Sequence, residues 1–83
     1  MAKEGEIREV IEILEDLEGD AAVPRNVKER IKNTIGALKE KTDLKIRINK
    51  ALHELDEAAD DPNLQPYTRT QIWNAVSVLE KID

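Results

Sequence analysis

The sequence predicts an all-α fold, an antiparallel up-and-down four-helix bundle that forms one domain over residues 1–83. Apolar residues recur every three or four positions in four separate segments, as they do on one face of a helix. The linkers between these segments are short, and short linkers place successive helices antiparallel. The 83 residues include no Cys and no Phe. The core must therefore consist of branched aliphatic side chains, without disulfide bonds.

The first helix is expected over residues 4–18. Its apolar stripe consists of Ile7, Val10, Ile11, Leu14 and Leu17. Mainly acidic residues occupy the positions between, so the segment is an amphipathic helix with an acidic outer face. Gly19 follows directly, as glycine often does just past the end of a helix.

The second helix is expected over residues 24–40. Its stripe consists of Val27, Ile31, Ile35 and Leu38. Pro24 suits a first helical turn, where a missing N–H costs nothing. Alternatively, Asn26 and Glu29 form a capping box, which would start the helix slightly later. Gly36 lies inside this helix and costs about 1 kcal/mol relative to Ala, which indicates close approach of a neighbouring helix.

The third and fourth helices are expected over residues 43–60 and 66–82. Their stripes consist of Leu44, Ile48, Leu52, Leu55 and Ala59, and of Ile72, Val76, Leu79 and Ile82. Asp60-Asp61-Pro62-Asn63 between them is typical of a turn. The fourth helix opens at Pro66 or is capped by Thr68 with Gln71.

The two halves of the chain resemble each other. Shifted by 38 positions, Val10, Leu14 and Leu17 fall on Ile48, Leu52 and Leu55. Shifted by 41, Ile31, Asn33, Ile35 and Leu38 fall on Ile72, Asn74, Val76 and Leu79. A proline opens the second helix of each half. The sequence therefore predicts a bundle built from two similar αα-hairpins.

Charge is distributed in three blocks. Residues 1–20 hold two basic and eight acidic residues, residues 21–50 hold nine and three, and residues 51–83 hold two and seven. The net charge of -5 thus conceals a basic middle segment. Its candidate basic patch is Arg25, Lys28, Arg30, Lys32 and Lys39. Either these charges pair with acidic helices inside the bundle, or they bind RNA, DNA, an acidic protein or an acidic patch on a second copy.

No catalytic, metal-binding or cofactor-binding residues are predicted. His53 is the only histidine, and a zinc-protease helix needs two histidines four positions apart, where this chain has Glu57. Ser77 is the only serine, so a serine nucleophile would depend on that single histidine as its base. The three glycines are isolated from one another, which excludes a glycine-rich phosphate loop. The sequence therefore does not predict an enzyme.

Trp73 is the most informative single residue. It lies at the edge of the fourth apolar stripe, because its neighbour Ile72 already occupies the stripe. Packing against the first two helices is one interpretation. The other is an interface, since large aromatics at such edges often form the centre of contacts with partners. Tyr67 would lie at its rim, and Arg69, four residues before Trp73, is placed to stack on the indole ring.

Several stretches carry a resemblance to a known family. They are Val23-Pro24-Arg25-Asn26-Val27, Asp61-Pro62-Asn63-Leu64, Thr68-Arg69-Thr70-Gln71-Ile72-Trp73 and Val76-Ser77-Val78-Leu79-Glu80. They resemble uncharacterised protein family 0147, a set of small archaeal proteins. The resemblance covers nearly the whole chain and is most specific in its last third. It implies a compact up-and-down four-helix fold, an archaeal cytoplasmic origin and no established activity, ligand or functional residues.

The function predicted from these observations is a non-enzymatic helical interaction or adaptor domain. Its partner is an unknown protein or a second copy in a homo-oligomer. The alternative is a nucleic-acid- or ribosome-associated factor that uses the basic segment 25–50. Charged residues near the N-terminus and the short apolar runs favour a cytoplasmic protein without a membrane partner.

Overall fold

Four helices make up the bundle: α1 (Ala2–Glu18), α2 (Arg25–Lys39), α3 (Leu44–Ala59) and α4 (Pro66–Ile82). The computed structural model describes the backbone of residues 2–82 and the side chains of residues 4–82. Within that part of the chain there is no β-strand. The predicted all-α four-helix fold is therefore confirmed. The helix bounds differ from the expected ones by two residues or fewer.

The helices form a ring in which each contacts the next and α4 closes back onto α1. The diagonal helices, α1 with α3 and α2 with α4, do not pack against each other. Side-chain bonds between α2 and α3 show the antiparallel direction, because Arg47 reaches the carbonyl of Leu38 while Arg30 pairs with Glu54. The bundle measures 34 × 19 × 17 Å.

The core is aliphatic from end to end. Each helix turns one apolar stripe inward, and Val23 and Leu64, from the α1–α2 and α3–α4 loops, cover the same end of the core. The largest fully buried apolar side chains are Leu14, Ile31, Leu38, Ile48, Leu55, Ile72, Leu79, Val10 and Val27. Both aromatic residues lie outside this core. Branched aliphatic side chains have few rotamers, so they pack densely without an aromatic ring.

Buried polar groups are few among the described residues. Thr34 and Thr68 are the buried polar side chains. The Thr34 hydroxyl donates to the carbonyl oxygen of Arg30 at 2.8 Å, which satisfies it within its own helix.

The helix starts resolve two alternatives left open by the sequence. Pro24 occupies the N-cap position of α2, without a side-chain cap bond. Asn26 instead donates its side-chain amide to the Asp61 carboxylate, 35 positions along the chain. Pro66 is the first residue of α4. Proline therefore marks the start of the second helix in each half, as the N-cap of α2 and as the first residue of α4.

The expectation for Gly36 is wrong. A Cβ built on this glycine would meet nothing within 4 Å, and the residue is exposed. No neighbouring helix approaches it, so internal packing does not explain why glycine stands there.

The helices are too charged or too short to cross a bilayer. Across the described residues, none is both long enough and apolar enough to do so.

Candidate functional site

Part of the basic segment is used inside the bundle. Three ion pairs occur among the described residues: Arg30–Glu54 at 3.0 Å, Arg47–Glu4 at 3.2 Å and Lys50–Glu40 at 3.1 Å. The hydrogen bond from Arg30 to Glu54 raises the pKa of that guanidinium above its ordinary value. These pairs join α3 to α1 and to α2. Two of them link the basic segment to acidic helices, as the first interpretation of the charge blocks expects, and Lys50–Glu40 lies within the basic segment. Each contributes about 0–1 kcal/mol.

Of the other members of the candidate patch, Arg25, Lys32 and Lys39 are exposed on α2 and Lys28 is half-buried there. Among the side chains that the structure describes, no carboxylate lies within 4 Å of Arg25, Lys28, Lys32 or Lys39. These four, named here the basic row, are spaced three, four and seven residues apart, so they follow one side of the helix. Glu18 and Glu29 join three of them around a cleft of about 350 Å³.

A larger cleft of about 500 Å³ lies at the opposite end of α2. Arg47 lines it and donates to the carbonyl oxygen of Leu38 at 3.1 Å and to the Glu4 carboxylate at 3.2 Å. Its Nε is buried without a partner. The terminal nitrogens of Arg47 are therefore already bonded, and in this cleft Arg47 links α3 to α1 and α2.

Both aromatic residues lie on the surface of α4. Trp73 is 45% exposed and Tyr67 is 66% exposed. Six positions separate them, which places them about 120° apart around a helix with about 100° per residue. Thr70, Asn74 and Ser77 occupy the arc between them and are exposed. These five residues are named here the α4 face.

The five residues of the α4 face carry no charge, and Lys81 follows on the same side of the helix, four positions after Ser77. From Pro62 to Leu79 the sole charged residue is Arg69, in a chain with 37% charged residues. The interface expectation identified Tyr67 and Trp73 but not Thr70, Asn74 and Ser77 between them. A count of charges along the chain would have indicated this segment, since depletion of charge is the compositional mark of interface centres.

Arg69 faces α3 through its guanidinium. Its Nε donates to the Ala59 carbonyl at 3.2 Å and its Nη2 to the Asp61 carbonyl at 2.9 Å. The Ala59 carbonyl lies at the C-terminal end of α3, where the helix leaves such groups unpaired, and the Asp61 carbonyl lies in the turn that follows. Arg69 thus fastens α4 to α3, and the expected stacking partner of Trp73 has a role inside the bundle.

His53 and Asp61 lie on α3 and in the turn that follows it. His53 is exposed on α3. Among the described side chains, no three carboxylate or imidazole groups are grouped as metal ligands. Asp61 accepts from the Asn26 side chain and from the backbone N–H of Asn63. These two bonds, in that order, lower the pKa of its carboxyl, with a further contribution from Arg69. Asp61 therefore orders the turn between α3 and α4 as a carboxylate.

Comparisons with known proteins indicate one family. The sequence profile of the Uncharacterised protein family (UPF0147) matches residues 1–82. UPF0147 protein MJ1419 of Methanocaldococcus jannaschii is 41% identical over 73 residues, covering 84% of this chain and 76% of the relative. A UPF0147 protein of Archaeoglobus fulgidus is 37% identical over 82 residues, covering 99% and 93%.

A solved structure supports the same assignment. A crystal structure of a member of this family from Thermoplasma acidophilum superposes with a TM-score of 0.92 at 30% identity, covering 98% of this chain and 96% of that one. Sequence and structure therefore agree along nearly the whole chain. The resemblance inferred from the sequence is confirmed, and the chain belongs to the uncharacterised archaeal family UPF0147.

Proposed function

We propose that this protein is a non-enzymatic helical interaction domain that binds proteins through the α4 face. A second copy of the chain is the first partner to test. The observation that carries the proposal is the exposure of Trp73 on a surface without charge. Aromatic residues, Trp above all, dominate the binding energy of protein interfaces.

Trp73 is not needed to complete the core. The buried face of α4 consists of Thr68, Ile72, Ala75, Val76, Leu79 and Ile82. These side chains already fill the inner side of the helix. Trp73 lies outside this core, so the exposed part of its indole ring is available for a partner, and a buried aromatic contributes a large apolar area to an interface.

The polar groups around Trp73 are suited to burial. The Thr70 hydroxyl donates to the Pro66 carbonyl at 3.0 Å, and the Asn74 amide donates to Gln71 Oε1 at 3.0 Å. Because these two donors already have partners within α4, covering them leaves neither bond unmade. The usual penalty of about 1–3 kcal/mol for an unsatisfied buried group is thereby reduced.

The test combines self-association with the exposure of Trp73. Sedimentation equilibrium over a concentration series measures the oligomeric state, and acrylamide quenching reports Trp73 alone, since it is the only Trp. Trp73→Ala removes the proposed centre of the interface. Ile46→Ala is the matched control, because Ile46 is an exposed hydrophobic residue on α3 outside the α4 face.

We expect association that rises with concentration and protects Trp73 from quenching. Trp73→Ala should weaken it by about 2 kcal/mol or more, about 30-fold in Kd, while Ile46→Ala has little effect. The self-association part fails if the wild type stays monomeric. The whole proposal fails if, in addition, wild type and Trp73→Ala capture the same proteins in the same amounts from an archaeal lysate.

A further inference from the structure

We propose that the basic row on α2 binds the phosphate backbone of double-stranded nucleic acid, without preference for base sequence. This site is separate from the α4 face, because α2 and α4 lie at opposite corners of the ring and do not pack together. The inference therefore does not depend on the proposed function, and each is tested on its own.

The first argument is the geometry of the charges. Arg25, Lys28 and Lys32 follow one another at helical spacings of three and four, which puts neighbouring side chains about 5–6 Å apart. Lys39 extends the row by two further turns, to a length of about 21 Å at about 1.5 Å per residue. A row of this length contacts several successive phosphates of one strand. Arg30, Arg47 and Lys50 are excluded from the site, since each is paired within the bundle.

The second argument is Gly36, which lies within the same row. It stands four residues after Lys32 and three before Lys39, so it fills the gap between them on the helix surface. A Cβ there would meet nothing within 4 Å. Glycine inside a helix costs about 1 kcal/mol relative to Ala, and no contact inside the bundle explains it. A ligand backbone that lies close against the helix does explain it, because glycine permits close approach.

The third argument identifies the class of ligand. The row contains no aromatic or large apolar residue to serve as the centre of a protein interface. It also offers no ring for stacking unpaired bases, which single-strand binding sites use. Both aromatic residues are on α4, at the opposite corner. A row of positively charged side chains, with the helix backbone uncovered at Gly36, fits the regular phosphates of a duplex. Contacts to the phosphate backbone supply non-specific affinity.

Neighbouring acidic residues limit where the duplex lies. Glu18 and Glu29 border the cleft beside the first three residues of the row, and Glu4, Glu12 and Glu15 line the cleft that includes Lys39. Their charge repels phosphates on either side of the row, and the net charge of the protein is -5. The interaction should therefore be confined to the row, of modest affinity, and strongly dependent on salt.

The experiment measures fluorescence anisotropy with a labelled 24-base-pair duplex of arbitrary sequence, as DNA and as RNA. With four phosphate contacts, raising salt from about 50 to 200 mM should weaken binding about 100-fold, at a slope of about −0.9 per contact. Lys28→Gln with Lys32→Gln should leave two contacts and a loss of about 10-fold over the same range. Lys45→Gln with Lys81→Gln is the matched control, since it removes equal charge outside the row and should keep the wild-type slope.

A second pair of variants tests Gly36. Gly36→Leu adds bulk within the row without changing charge and should weaken binding several-fold. Asn33→Leu adds the same side chain on an exposed part of α2 beside the row and should not. Circular dichroism checks that each variant is folded.

Five results would overturn the proposal. The first is no binding at about 50 mM salt with protein up to about 200 μM, above the usual non-specific Kd range. The second is an equal loss of affinity in the lysine variants and in their control. The third is an equal loss of affinity in Gly36→Leu and Asn33→Leu. The other two are tighter binding of the single strands than of the duplex, and displacement of the duplex by polyglutamate at equal charge concentration, which would indicate an acidic protein ligand.

Discussion

Arg69 shows how one residue serves two helices. Its sequence position, one turn before Trp73, favours stacking on the indole ring. Its guanidinium instead donates to one carbonyl at the end of α3 and one in the turn that follows, because a planar group with several donors reaches two acceptors at once. The sequence does not predict this, because the carbonyls come within reach only after the turn between α3 and α4 has formed.

Gly36 allows a simple test of how one helix residue affects the stability of the fold. Gly36→Ala should raise the free energy of unfolding by about 1 kcal/mol, because Ala has the higher helix propensity and the added Cβ meets nothing within 4 Å. Urea denaturation followed by circular dichroism measures the change. Gly19→Ala is the control and should gain less, since Gly19 lies beyond the end of α1. A loss of stability in Gly36→Ala would contradict the open surroundings of this residue.

At the scale of elements, the positions of the helices were predictable from the sequence, and the side-chain hydrogen bonds between distant elements were not. Four apolar stripes, together with Pro24 and Pro66, are local signals, so they indicate the helix positions directly. The bond from Asn26 to Asp61 joins the start of α2 to the turn after α3. From the sequence alone, Asn26 is equally suited to a capping box. Its bond to Asp61 could not be predicted, because the two residues are 35 positions apart.

This connection predicts a dependence of stability on pH. The pKa of Asp61 is lowered first by the hydrogen bond from Asn26 and then by that from Asn63. A carboxyl with a lowered folded-state pKa stabilises the fold above its unfolded-state pKa, about 3.9, and this contribution is lost as pH falls through the folded-state value. Asn26→Ala should therefore lose less stability between pH 6 and pH 2.5 than the wild type does.

Denaturant unfolding at the two pH values provides the measurement. Asn33→Ala is the matched control, because Asn33 is an exposed asparagine on the same helix. Its decrease in stability between the two pH values should equal that of the wild type. If Asn26→Ala behaves like this control, the bond to Asp61 does not set the pKa of that carboxyl.

At the scale of the whole molecule, the residues of the basic segment fall into two groups, those paired within the bundle and those left on its surface. The basic segment supplies Arg30, Arg47 and Lys50 to ion pairs with carboxylates on other parts of the bundle, and it leaves the basic row on the surface. Block charges alone do not separate these two groups, because the division depends on which side of α2 faces α3. The candidate residues were thus predictable as a set, and their division required the fold.

The most extensive helix contact, between α2 and α3, lies across the boundary of the two similar hairpins. The repeat visible in the sequence therefore does not divide the bundle into independent units.

Fragments 1–41 and 42–83 should each show little helix by circular dichroism, because about 40 residues bury too small a core. Two copies of fragment 1–41 would place basic α2 against basic α2, and two copies of 42–83 would leave Glu54 without Arg30. An equimolar mixture should recover helix and a cooperative melting transition. Stable, cooperative folding of either fragment alone would show instead that each hairpin is a folding unit.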